Sequence, residues 1–147
     1  MQSFQVMRDW ITKAGLRAAV LQLNMFDVWN CGYVAVPETH PLHGRGLMDL
    51  SPIKVKMPGW YFTVNQPPKL RWGYPILGNY FDVHGLLTYA DSGADGYPIV
   101  SSEDLWWFGF DCHHVDDTLE KCTVSYVVHE CERLAAQLAV FSEATDE

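Results

Sequence analysis

The sequence predicts an α+β fold, a single compact domain in which an antiparallel sheet has N- and C-terminal helices packed on it. Three observations lead there. Apolar residues recur at helical spacing near both ends of the chain. Between them lie two aromatic and β-branched segments, Tyr80 to Tyr89 and Leu105 to Cys112, separated by the turn-like run Asp91-Ser-Gly-Ala-Asp-Gly96. A length of 147 residues with 48% hydrophobic and 14% aromatic content is enough for one core without disulfide or metal staples.

In chain order, Phe4, Met7, Trp10, Ile11 and Ala14 fall at helical spacing behind Ser3 as a candidate N-cap, and the helix is expected to continue past Gly15 to about Leu23. Trp29 to Pro37 reads as a strand that proline ends, since proline cannot donate to a ladder. Region 38–79 is a long aromatic and Pro/Gly-rich loop carrying Trp60, Tyr61, Trp72 and Tyr74, with one short strand expected at Trp60 to Val64. The two aromatic strands follow and should pair antiparallel. Val124, Val127, Val128, Cys131, Leu134, Ala135, Leu138 and Phe141 then define an amphipathic helix capped by Thr123, with Glu130, Glu132, Arg133 and Gln137 on its other face.

Ten Lys and Arg against eighteen Asp and Glu give a formal charge of −8, which opposes attraction to nucleic-acid polymers and anionic membranes. A small phosphorylated ligand remains compatible with it. Met1 to Trp10 has no continuous apolar run, so neither leader nor anchor is expected, and a cytoplasmic location follows. The four cysteines, Cys31, Cys112, Cys122 and Cys131, show no CxxC pair; neither a disulfide framework nor a structural zinc site is indicated.

Chemistry concentrates in Asp111-Cys-His113-His114-Val-Asp116-Asp117, directly after an aromatic strand, and in Asp82-Val-His84-Gly85 within the other. Glycine inside a strand marks a place where a backbone or ligand approaches closely. Thr39-His40-Pro41-Leu42-His43-Gly44 is a third cluster. Each also has a structural reading: His84 as a hydrogen-bonded core histidine, Asp111 as a turn residue or partner of Arg71 or Arg17, the aromatic rings as core. His84, Asp111 and His114 could form an open facial triad on a metal, but their spacing matches no zinc signature, and no metal or other cofactor is expected. The chain has no GxSxG elbow, P-loop, GxGxxG or HExxH, and Cys112 and His113, as strand neighbours, would point to opposite faces.

The segments Trp29-Asn-Cys-Gly-Tyr-Val-Ala-Val-Pro37, Val83-His-Gly-Leu-Leu-Thr-Tyr89 and Trp106-Trp-Phe-Gly-Phe-Asp-Cys-His-His114 resemble a group of small, mostly uncharacterised bacteriophage and prophage proteins with VHGGLTY and WxFGFDCAHAGD patterns. Leu86 departs from it where a second glycine stands. His113-His114-Val115-Asp116-Asp117 replaces an AHAGD-like run but retains its His and Asp as His114 and Asp117. The resemblance implies a phage-type accessory protein that counteracts bacterial defence. On this reading the chain sequesters a small nucleotide-derived immune signal, such as a cyclic dinucleotide or an ADP-ribose derivative, through Trp29, Tyr33, His84, Thr88, Tyr89, Trp107, Asp111, His114 and Asp117. The alternative is a phosphodiesterase-like hydrolase of such a signal, using His84 or His114 with Asp111. A third reading is an accessory protein whose aromatic loop contacts a host protein, and homo-oligomerisation stays open.

Overall fold

The computed structural model describes residues 3–58 and 70–145. Strand β1 (Ser3–Ile11), β2 (Arg17–Asn24), β3 (Val28–Val36), β6 (Tyr89–Gly93) and β7 (Ser102–Asp111) form one antiparallel sheet in the order β1-β2-β3-β7-β6. A separate hairpin pairs β4 (Val55–Pro58) with β5 (Leu70–Gly73), a four-residue helix α1 spans Leu77–Tyr80, and the long helix α2 spans Val124–Thr145. The expected α+β domain is therefore present, with its helices arranged differently.

The N-terminal segment is a hairpin, not a helix. Gly15 at φ +89° allows the reversal, and Thr12 closes it by receiving the Gly15 amide on its carbonyl and donating its own amide to Leu16 O. The apolar run from Ala18 to Leu21 is buried on both faces of the sheet because Ala18 and Val20 enter the core under α2 while Ala19 and Leu21 enter a second core on the opposite face, so alternation never shows in its sequence. β1 is an edge strand: Phe4, Val6, Met7 and Ile11 remain exposed, and a bulge between Val6 and Arg8 leaves Met7 out of register. Helical spacing in β1 was incidental, because no buried stripe collects those residues.

β3 and β7 stand at the centre of the sheet and match the expected strands closely. Tyr80 to Tyr89 does not. Gly85 at φ +66° and Leu86 at φ +67° turn the chain twice, which no ladder accommodates, so the strand begins only at Tyr89 and extends to Gly93. β6 still pairs antiparallel with β7. In region 38–79 no strand or helix is formed over 38–54, the hairpin and α1 follow, and the strand expected at Trp60 to Val64 falls outside the described residues.

Helix α2 lies mainly across β3 and β2, burying Val127, Cys131, Leu134, Ala135 and Leu138 completely. Thr123 caps it as expected, its Oγ1 accepting the Tyr126 amide. Phe81, Val83, Leu87, Phe108 and Phe110 complete this core. A second, smaller core of Ala19, Leu21, Cys31, Tyr33, Ile99 and Trp107 fills the opposite face of the sheet. Among the described residues, no helix is long and apolar enough to cross a membrane.

His40, from the third polar cluster, is a structural residue under α2. Its Nε2–H donates to Leu138 O at 2.8 Å and its Nδ1 accepts the Leu42 amide at 3.0 Å, so only the neutral ring satisfies both bonds. Burial, with His43 adding to it, lowers its pKa from the ordinary 6.5 despite the bond to Leu138.

Two outcomes follow for stability. Leu134→Ala removes a fully buried side chain beneath α2 and should cost about 2–5 kcal/mol in urea unfolding. Below the ordinary pKa of 6.5 the unfolded chain takes up a proton at position 40 that the folded chain resists, so folding weakens as pH falls through that window. Urea midpoints measured from pH 7 to pH 5 should therefore decline less steeply in His40→Gln than in the wild type; equal slopes would remove His40 as the cause.

Candidate functional site

The end of β7 and the turn that follows it meet the 82–88 loop at one end of the sheet. Asp111, the last residue of β7, accepts the Thr88 hydroxyl on Oδ2 at 2.9 Å and the His113 amide on Oδ1 at 3.0 Å. The chain then turns, and Asp117 accepts the His114 amide on Oδ2 at 3.0 Å while its own amide donates to His114 O. His114 thereby faces back over the loop, its Nε2 3.5 Å from Asp111 Oδ1.

Gly85 makes that placement possible. A Cβ there would stand 2.2 Å from His114 Nε2, so the ring lies directly against backbone. The close approach expected at this glycine is to the protein's own imidazole.

His84 is held on every side. Its amide donates to Glu130 Oε1, its Nδ1 lies 2.8 Å from the Tyr126 hydroxyl, and its Nε2 lies 2.9 Å from Asp117 Oδ1. Burial opposes ionisation of Asp117, but the bonds from His84 and from the His114 amide outweigh it and hold the carboxyl below its usual range. Behind this pair sit two thiols. Cys122 Sγ is 3.7 Å from His84 Nε2 and 3.8 Å from Asp117 Oδ1, and Cys112 lies beside it; burial pushes both thiols up. One donor atom from each of His84, Cys112, Asp117 and Cys122 falls within 4.8 Å of all the others.

Three of the polar residues read onto the other face of α2 clamp this loop. Glu130 is buried and paired with Arg133 at 2.7 Å, Arg133 reaches Asp82 at 2.6 Å, and Gln137 bonds both the amide and the carbonyl of Asp82. Glu132 receives the Trp10 indole N–H.

Two cavities flank Trp29. One, about 240 Å³, lies at the second core and is lined by Trp29, Tyr33, Thr88, Tyr89, Tyr97 and Asp111 among others. Five of the nine expected binding residues thus come together here. Tyr33 and Tyr97 hydrogen-bond through their hydroxyls, and Tyr33, Tyr89 and Tyr97 pack edge to face. Burial raises the Tyr33 and Tyr97 hydroxyls and pushes Tyr89 up to about 12, so all three remain protonated donors. The other cavity, about 400 Å³, is lined by Asp27, Trp29, Cys112, His113, Asp117 and Glu120 among others. No Lys or Arg lines either cavity among the described residues.

Trp107 is a correction. It is fully buried, its indole N–H bound to Ser102 Oγ, and it belongs to the second core. His113 stacks on Trp29 at 3.8 Å between centroids and 10° between planes, with Nε2 3.5 Å from Asp27 Oδ2. Tyr126, Tyr97, Glu130 and Cys122 were not singled out as site residues. Only folding brings them in, although Cys122 was visible as a thiol five residues beyond Asp117. Arg17 pairs with Asp9, not Asp111.

No family model, curated protein or solved structure matches the chain.

Gly85→Ala should show how far the site depends on that backbone position. The positive φ alone should cost about 1–2 kcal/mol, and the new methyl must move the His114 ring. Urea unfolding together with the imidazole NMR signals of His114 reads both; an unmoved ring would mean that the glycine does not position it.

Proposed function

We propose that the chain captures a small ligand carrying a planar ring and releases it unchanged, acting as a sequestering protein. The observation that carries this reading is the 240 Å³ cavity in which aromatic walls converge with a carboxylate and a threonine hydroxyl, Asp111 and Thr88. Rings supply apolar and stacking surface, and a few fixed polar groups orient what enters. A nucleobase or nucleoside matches that chemistry: ring amino groups and ribose hydroxyls donate to Asp111 and to the Thr88 oxygen, whose own proton goes to Asp111, and the tyrosine hydroxyls serve acceptor atoms.

The electrostatics narrow the ligand. Phosphates are normally met by Arg, Lys or helix N-termini, and neither cavity has a Lys or Arg among its described lining residues. A phosphorylated signal would therefore insert its base and leave its phosphates towards solvent. Trp29 borders both cavities and offers a ring face beside each. In the phage-type setting that the motifs resemble, this is removal of a nucleotide-derived immune signal in the host cytoplasm.

One pair favours a second reading. His114 and Asp111, 3.5 Å apart and partly exposed, have the composition of a general base with its orienting carboxylate, as a hydrolase would need. His84 suits that role less well, because both its ring nitrogens are engaged.

A panel of nucleosides, cyclic dinucleotides and ADP-ribose derivatives, incubated with the protein, released by heat and separated by chromatography, distinguishes the two. Recovery of intact ligand supports capture, and a new product supports hydrolysis. Asp111→Asn and Tyr89→Ala should each weaken binding tenfold or more while moving the thermal midpoint by only a few degrees. Full binding by both variants would place the site elsewhere.

A further inference from the structure

We propose that His84 Nε2, Cys112 Sγ, Asp117 Oδ1 and Cys122 Sγ bind one tetrahedral zinc ion, which ties the 82–88 loop and the end of β7 to the turn leading into α2. This site is independent of the ligand reading above and departs from the expectation that the chain holds no metal.

The donor set has zinc chemistry. Two thiols, an imidazole and a carboxylate suit a borderline-soft d¹⁰ ion, and four protein ligands make a closed, structural site. The spacing fits as well. Tetrahedral zinc separates its sulfur, nitrogen and oxygen donors by about 3.4–3.8 Å. Here Cys122 Sγ stands 3.7 Å from His84 Nε2 and 3.8 Å from Asp117 Oδ1, and no two of the four donors are more than 4.8 Å apart. The His84–Asp117 pair, 2.9 Å apart, needs to open by about half an ångström for the ion to enter.

Each donor is already held by something behind it. The Tyr126 hydroxyl faces His84 Nδ1, so accepting an Nδ1–H directs the Nε2 lone pair at the ion. Asp117 commits Oδ2 to the His114 amide and so presents Oδ1. Buried Asn30 fixes both cysteines, its carbonyl accepting the Cys112 amide and its Nδ2 donating to Cys122 O. Glu130 holds the His84 backbone. Such outer bonds orient metal ligands and sharpen affinity, whereas a fortuitous cluster has no need of four separate supports.

Two thiolates and one carboxylate over-compensate a divalent ion by one unit, neutral His84 completes the set, and the His114 amide faces the excess charge on Asp117.

The test uses the full chain, reduced, stripped with chelator and then titrated with Zn²⁺ or Co²⁺. One equivalent should bind per chain. The cobalt form should show thiolate-to-metal charge transfer and the intense visible bands of a tetrahedral ion, and zinc should raise the thermal midpoint. Cys112→Ser and Cys122→Ser, each leaving one thiolate, should each lower the charge-transfer intensity, while Cys31→Ala, outside the cluster, should keep it in full. Tyr126→Phe should retain the tetrahedral spectrum but weaken zinc about 10–100-fold, the loss that removing an outer partner causes. If the cysteine variants fail to fold, the wild-type titration still decides. Folded, reduced wild type without cobalt bands and without a zinc-induced thermal shift would overturn the proposal, as would full charge transfer in both serine variants.

Discussion

Asn30 is buried in the central strand β3, and its hydrogen bonds run in three directions. Its backbone carbonyl takes the Cys112 amide, its Nδ2 donates to Cys122 O, and its Oδ1 accepts from Gln22 on the neighbouring strand. A carboxamide at that depth is tolerable only because its donor and its acceptor are both satisfied. The result is that the last residues of β7 and the turn before α2, adjacent in neither sequence nor sheet, are joined to one rigid point. The cysteine pair takes its position from that anchorage.

Helix α2 supplies the other half of the frame. Its apolar stripe packs against the sheet, and the polar residues beside that stripe grip the 82–88 loop through Glu130, Arg133 and Gln137. Ion pairs of this kind contribute little at an exposed surface, but here they accompany side-chain bonds to the backbone of Asp82 and His84. Stability and site geometry are thus coupled: the helix that completes the core also holds His84 in place. The double turn at Gly85 and Leu86 lets the loop fold back far enough for His114 to cover it.

The two faces of the sheet separate two kinds of chemistry. On the α2 side, thiols, an imidazole and a carboxylate crowd together under partial burial. On the other side, tyrosine rings line a cavity whose rim carries Asp111 and Thr88. Trp29 and the β7 terminus connect them. A chain of net charge −8 whose cavities lack Lys and Arg among the described lining residues is poorly suited to gripping phosphates and better suited to uncharged or cationic ring systems.

Much of this was legible in the amino acids alone. The fold class, strands β3 and β7, the terminal helix with its Thr123 cap, and the concentration of chemistry between residues 84 and 117 follow from local signals: alternation, helical periodicity and dense polar runs beside aromatic strands. The N-terminal hairpin was hidden because β2 is buried on both faces and β1 on neither, so neither strand carries the period-two signature. The nature of the site was also decided only by tertiary structure. Cys112 and Cys122 are ten positions apart and His84 lies far from both, so their meeting depends on the register of β7 against β3, the turn at Asp117 and the docking of α2. Sequence determines which donors exist and roughly where along the chain they cluster. Which of them share a face and a few ångströms of space is set by long-range pairing and packing, which no local pattern encodes.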